Sequence, residues 1–183
     1  MLIMYNVIYY LYWMFLSIYL QAVWPTLRSV VDSYGDRLAF TVHIFPLPYH
    51  QAAFTLAQAA IVVQQEKPQN IWNFFDLCYR NQSQIWNSNI SKLTSVQLTA
   101  LVGTWATSSE VGLSEAAWTA GMNNSYLNMA ARASWKLAAS RSVTGTPWFF
   151  LNGKILDRIF NNISFRILQN LKIRCHCIFE ILL

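Results

Sequence analysis

Apolar residues in the middle of the chain recur at two different spacings. The run 38–45 alternates and is rich in β-formers, which predicts a strand. Pro46 and Pro48 should end that strand, because proline cannot donate to a sheet ladder. A second run, 148–151, is apolar on both faces and leads into an Asn-Gly pair, the strongest short hairpin signal, so a further strand is expected at 154–156. A strand that is apolar on both faces, such as 148–151, lies inside a sheet that is covered on both sides. We expect the strands at 38–45 and 148–151 to be neighbours in this sheet.

Helical spacing dominates the region between the two apolar runs, residues 50–140. Thr94, three residues before a glutamine, has the spacing of a capping box and should begin a helix. Ser114 should cap a short helix, and Asn124 or Ser125 should cap a longer one. The predicted helices cover about 24–34, 50–65, 71–80, 94–105, 114–118 and 124–140.

Both ends of the chain are apolar and fit the middle poorly. Residues 1–20 carry no charged side chain and match the span of about 20 residues that a bilayer requires. They lack the basic start and small-residue cleavage site of a secretory signal. We interpret them as a signal-anchor or membrane segment, with a degenerate first strand as the alternative. Residues 157–183 form an atypical apolar and basic tail, so the domain is expected over 21–156, with its helical insertion at about 50–140.

Composition narrows the function classes. The 183 residues are 55% hydrophobic, enough for one packed domain, which excludes a disordered chain. The net charge is +5, and the thirteen basic residues are scattered except in the tail 154–174. They do not form the basic stripe interleaved with aromatic residues that nucleic-acid binding requires, so no nucleic-acid partner is expected. Cys175-His176-Cys177 provides too few ligands for zinc, and neither a metal nor another cofactor is predicted. His43 and His50 have no carboxylate at a suggestive spacing and are not predicted catalysts.

Two segments of the chain contain motifs that occur together in a known family. The first contains Trp24-Pro25-x-Leu27, Tyr34-Gly35 and His43-Ile44-Phe45-Pro46-Leu47-Pro48-Tyr49-His50-x-x-Ala53-Phe54. The second contains Lys136-x-Ala138-x-x-Arg141-x-Val143-x-Gly145-Thr146-Pro147-x-Phe149-Phe150-x-Asn152-Gly153. Together they resemble the DsbA-like thioredoxin proteins found in eukaryotes. The resemblance implies an α/β fold with a thioredoxin-like core and a large helical insertion, incomplete at both ends. The family's first strand and closing helix are expected to be replaced here by unmatched apolar runs.

The resemblance also implies where a functional site would lie. Thr146 and Pro147 correspond to the family's cis-proline loop, where an extended partner can pair with the backbone. The family's two active-site cysteines, three residues apart at the start of the first helix, fall at about Ser17 and Leu20. Neither is cysteine, and no cysteine precedes Cys78. A serine hydroxyl cannot form a disulfide, so dithiol exchange at this site is not expected.

Three functional readings follow from the resemblance. The first is a redox-inactive thioredoxin-like module that binds an extended peptide or another protein beside Thr146 and Pro147. The second is a thiol-disulfide oxidoreductase whose cysteine motif is lost in the gene model. The third is an enzyme similar to kappa-class glutathione transferases, which use a serine near the usual cysteine position, where Ser17 falls, although their Ser-Pro-Tyr-type signature is missing.

Four acceptor sequons for N-glycosylation begin at Asn81, Asn89, Asn123 and Asn162. Together with the apolar start, they predict entry into the secretory pathway and an extracellular or membrane-anchored protein. Membrane association would be made through residues 1–20.

Overall fold

A four-stranded mixed sheet forms one layer of the protein, which we describe from a computed structural model covering residues 8–13, 18–34, 39–151 and 154–156. The strands lie in the order β2, β1, β3, β4. β1 is parallel to β2 and antiparallel to β3, and β3 is antiparallel to β4. The strands are β1, Ile8–Trp13; β2, Ala39–Ile44; β3, Trp148–Leu151; and β4, Lys154–Leu156.

β1 lies within residues 1–20, for which the sequence allowed either a membrane segment or a first strand. It pairs with β2 on one side and β3 on the other, so Ile8–Trp13 form part of the sheet. The expectation that the family's first strand is replaced by an unmatched run is therefore wrong. The expected pairing of β2 with β3 is also wrong, because β1 inserts between them.

The first helix, α1 (Ile18–Tyr34), begins before the expected domain boundary at residue 21 and contains Pro25. Leu20, Trp24 and Leu27 lie along one buried stripe at helical spacing. The indole Nε1 of Trp24 donates a hydrogen bond to Asp76, which ties the helix to the helical layer. Among the described residues, no helix is both long and apolar enough to span a bilayer.

Six helices fill the chain between β2 and β3, and they form the predicted helical insertion. Except for the short α4, which the sequence did not predict, they begin close to the residues that the sequence indicated. Thr94 and Gln97 form a reciprocal capping box, and the side chains of Ser114 and Asn124 cap the next two helices. The helices are α2, Ala53–Glu66; α3, Ile71–Arg80; α4, Asn87–Ile90; α5, Ser95–Ala106; α6, Glu115–Asn123; and α7, Ser125–Ser140.

Helix α2 is the centre of the insertion and contacts α3, α5, α6 and α7. Its residues 56–63 are all buried. Helix α6 approaches it closely at Gly121, where an added Cβ would overlap the side chain of Val62. The lack of a side chain at this glycine therefore sets the distance between the two helices.

Strand β2, at one end of the described sheet order, is covered by α7. Phe40, Val42 and Ile44 are buried, and so are the intervening Thr41 and His43. The hydroxyl of Ser134 on α7 donates to the backbone carbonyl of Ile44 at 2.9 Å. β2 is thus buried on both faces although it lies at one end of the described sheet order, and the sequence had predicted two buried faces for 148–151 instead. The predicted tail, residues 157–183, lies outside the described residues.

Candidate functional site

Three segments meet at one end of the sheet. β1 and β2 are parallel, with Trp13 opposite Ile44, so both strands finish at this end. β3 is antiparallel and starts there, with Trp148 opposite Tyr12. The end of β1, the loop after β2 and the loop before β3 are therefore brought together, although they are far apart in sequence.

The loop before β3 contains the two residues that the sequence assigned to binding. The Thr146–Pro147 peptide bond is cis. Pro147 is buried and Thr146 is half-buried. The hydroxyl oxygen of Thr146 is shielded from solvent and has no hydrogen-bond partner among the described residues. An added Cβ at Gly145 would meet no atom within 4 Å, so the backbone before Thr146 borders open space.

The start of α1 lies at the same end of the sheet, where the family cysteines were expected. Leu20 is in the first turn of α1 and is fully buried, so it contributes to the core at that position. Ser17 lies outside the described residues, and its suggested role in a glutathione transferase-like reaction stays a prediction.

Of the three cysteines, Cys78 lies in the part of the chain that the structure describes. Its environment is unsuited to thiol chemistry. It lies in α3, is fully buried and forms no disulfide. Burial raises the pKa of its thiol well above the ordinary value, which keeps the thiol protonated and unreactive. Cys175 and Cys177 lie outside the described residues. In the described part of the chain, no three histidine, cysteine or acidic side chains cluster as a metal site would require.

His43 and His50 have different surroundings. His43 is buried in β2, and burial together with the nearby charge of Arg141 lowers its pKa from 6.5 to about 4. This imidazole is therefore neutral at physiological pH. His50 follows β2 and its pKa is lowered by partial burial. His50 lines a surface groove, whereas His43 belongs to the core.

This groove has a volume of about 590 Å³ and lies between the segment after β2 and helix α7. We call it the α2–α7 groove because the first turn of α2 forms part of its wall. The lining is mostly apolar, with two cationic side chains from α7. Its lining residues are Pro46, Leu47, Pro48, His50, Gln51, Ala53, Phe54, Met129, Arg132, Trp135 and Lys136.

The sequence did not single out this groove. Its two walls lie about eighty residues apart in the chain. Residues 46–54 belong to a segment that resembles the family, but nothing in that segment indicated that it faces α7. The available signal was on α7, where Met129, Arg132 and Lys136 share one helical face, at intervals of three and four residues. Met129 and Trp135 on this helix are large apolar side chains that stay exposed.

The family model for the DSBA-like thioredoxin domain matches residues 20–171. The chain belongs to the DsbA-like thioredoxin domain family. The match begins in α1, includes the whole insertion and the cis-proline loop, and extends past β4 into the tail that the sequence treated as atypical. The expected fold, a thioredoxin-like core with a helical insertion, is confirmed. The eukaryotic branch of the family stays a prediction.

Solved structures of DsbA-like proteins have the same fold. A candidate protein-disulfide isomerase from Pseudomonas syringae has a TM-score of 0.75 and 10% identity, covering 89% of this chain and 92% of its own. Reduced DsbA1 from Neisseria meningitidis has a TM-score of 0.64 and 13% identity, covering 90% and 81%. The thiol-disulfide exchange protein α-DsbA2 from Wolbachia pipientis also has a TM-score of 0.64 and 13% identity, covering 90% of this chain and 81% of its own. No curated protein matches the chain in sequence.

Proposed function

We propose that this DsbA-like protein is a binding module for an extended peptide or protein segment and does not perform dithiol exchange. The observation that carries the proposal is that no cysteine precedes Cys78 in the sequence. Dithiol exchange requires a reactive cysteine at a helix N-terminus and a resolving cysteine nearby. By the family resemblance these positions fall at about Ser17 and Leu20, neither of which is cysteine, and Cys78 is buried in α3.

The loop before β3 supplies the binding contacts. Residues 144–146 are at least partly exposed, and the open space at Gly145 gives a partner backbone access to Thr146. An extended segment can pair with exposed main-chain groups in the manner of an added strand, with affinity from backbone hydrogen bonds and specificity from neighbouring pockets. The binding function thus requires no thiol.

Binding is tested with a pool of short, unstructured, neutral peptides carrying a fluorescent label. We expect Thr146→Trp to weaken binding by about tenfold or more, because the half-buried position of Thr146 cannot hold an indole without displacing the loop with which the partner pairs. Thr104→Trp, on the exposed face of α5, is the matched control and should bind as the wild type does. Equal affinities for all three proteins would contradict a site at this loop.

A second candidate, thiol-disulfide oxidoreductase, is favoured by the similar solved structures, among them a thiol-disulfide exchange protein. Insulin reduction and oxidative refolding of a scrambled substrate separate the two functions. We expect no activity above a control without protein. Activity that disappears in Cys78→Ser, or in a variant with Cys175→Ser and Cys177→Ser, would instead support the oxidoreductase.

We also propose that the protein enters the secretory pathway and is extracellular or held at the membrane through residues 1–20. The support is the set of sequons, of which those at Asn89 and Asn123 are exposed. The amide nitrogens of all three donate to backbone carbonyls, but Asn81 is half-buried and is therefore the poorer acceptor. Expression in a eukaryotic secretory host should give a glycosidase-sensitive mass that decreases in Asn89→Gln. A glycosidase-insensitive mass contradicts this location, and cell fractionation tests the membrane association.

A further inference from the structure

The α2–α7 groove lies at the same end of the sheet as Thr146 and Pro147. Its first wall, residues 46–51, follows directly from the end of β2. Only β1 separates β2 from β3, and neighbouring strands are about 4.8 Å apart, so the ends of β2 and β3 are on the order of 10 Å apart. A peptide of a few extended residues can therefore contact both the groove and the loop before β3.

Arg132 is held in place at this groove before any partner binds. Its Nε donates to Oδ1 of Asn128 at 2.8 Å, and Nδ2 of Asn128 donates to Oε1 of Gln58 at 2.9 Å. Gln58 is buried in α2 and donates in turn to the carbonyl of Met122 at 2.8 Å. The guanidinium carbon also lies 5.4 Å from the centre of the Phe54 ring. These contacts fix the guanidinium without using its terminal nitrogens.

The charge of the groove is entirely positive. Arg132 and Lys136 are exposed and one helical turn apart on α7, and the described lining contains no acidic residue. In the described part of the chain, neither cation forms an ion pair. A fixed guanidinium with two terminal nitrogens available matches a carboxylate, which it can bind through two parallel hydrogen bonds. The groove therefore complements a negatively charged ligand.

The rest of the lining favours a bulky apolar group. Trp135 is 41% exposed and Met129 is 57% exposed. The Trp135 ring is held parallel to the ring of Phe45, with the centroids 6.2 Å apart. Exposed aromatic and methionine side chains beside a concave surface are typical of binding sites, since their burial by a partner is favourable. Leu47 and Phe54 on the opposite wall complete an apolar surface.

We propose that the α2–α7 groove binds a peptide segment in which an Asp or Glu residue is next to a bulky apolar residue. The carboxylate pairs with Arg132 and is supported by Lys136, while the apolar side chain packs against Trp135 and Met129. The inference rests on the proposed peptide-binding function and specifies which sequences the protein prefers.

The test uses three short fluorescent peptides that differ at one position, Glu-Phe, Ser-Phe and Lys-Phe, with binding measured by anisotropy. We expect the Glu-Phe peptide to bind about tenfold more tightly than the Lys-Phe peptide at low salt. This preference should decrease as salt increases, because the charges are exposed to solvent. Equal binding of the Glu-Phe and Lys-Phe peptides would overturn the proposal.

Variants then locate the preference in the groove. Arg132→Gln should remove most of the preference, and Arg132→Lys should keep part of it, since a lysine keeps the charge but loses the bidentate geometry. Lys92→Gln, an exposed lysine outside the groove lining, is the control and should keep the preference. Thermal unfolding of each variant shows that it is folded. A preference unchanged in folded Arg132→Gln contradicts the proposal.

The neutral Ser-Phe peptide separates this proposal from the proposed function. If it binds, and Thr146→Trp weakens it, peptide binding stands even when the acidic preference is absent. If none of the three peptides binds the wild-type protein, both proposals fail together.

Discussion

At the scale of single residues, the buried polar groups determine how the protein responds to pH. His43 is only 1% exposed, and its pKa is lowered to about 4 by burial and by the charge of Arg141. The unfolded chain binds a proton at this side chain near pH 6.5, whereas the folded chain does so near pH 4. The contribution of neutral His43 to stability is therefore fully present above pH 6.5 and decreases as the pH falls from 6.5 to 4.

We expect the free energy of unfolding to fall over this window by an amount on the order of 2–3 kcal/mol that depends on His43. Urea unfolding of wild type and His43→Gln at several pH values measures it. The slope against pH should be smaller in the variant, whatever its absolute stability. His50→Gln is the control. Because His50 is only partly buried, we expect its removal to change the pH dependence of the free energy of unfolding less. Parallel curves for wild type and His43→Gln would show that another group causes the pH response.

At the scale of elements, the sequence predicted helices better than strands. Helix starts were located by capping residues whose hydrogen bonds are local, as at Thr94, Ser114 and Asn124. β1 was ambiguous because a continuous apolar run of aromatic and branched residues has no period that separates a buried strand from a membrane segment. Without β1, the pairing of β2 with β3 was the simplest arrangement, and it was wrong.

The contact between α2 and α6 gives a test at this scale. Gly121→Ala should lower the free energy of unfolding by about 1–3 kcal/mol, because its Cβ overlaps Val62, whose branched side chain is buried in α2. Chemical denaturation provides the measurement. Val62→Ala should cost less in the Gly121→Ala background than in the wild type, since it removes the overlapping atoms. Additive effects of the two substitutions would mean that the helices adjust their separation freely.

At the scale of the whole molecule, the sheet depends on the strand that the sequence described least clearly. The fold class followed from the family resemblance of two motif segments, one of them around Thr146 and Pro147, and the helical spacing between those segments agreed with an insertion. The α2–α7 groove could not be predicted in this way, because it exists only when residues 46–54 and 129–136 are brought together. Arg132 and Trp135 have the pattern of an ordinary helix surface until the opposite wall is known.

The central position of β1 predicts that backbone damage there affects the entire protein. Tyr10 pairs with Thr41 of β2 and Phe150 of β3. We expect Tyr10→Pro to destabilise the protein by about 3 kcal/mol or more, because proline removes a donor from the ladder and is tolerated only at sheet edges. Tyr10→Phe, which keeps the backbone donor, is the control. Cooperative unfolding with wild-type stability in Tyr10→Pro would contradict the sheet order.

The position of the insertion has a consequence for synthesis on the ribosome. Trp148 of β3 follows Ile44 of β2 by 104 residues (148 minus 44). At about 5–20 residues per second, β3 is made about 5–20 seconds after β2. During that interval β1 and β2 exist without the strand that covers the other side of β1, and the nascent chain presents an apolar sheet edge able to pair with another chain. We therefore expect the newly made protein to depend on chaperones until translation passes the β3–β4 hairpin.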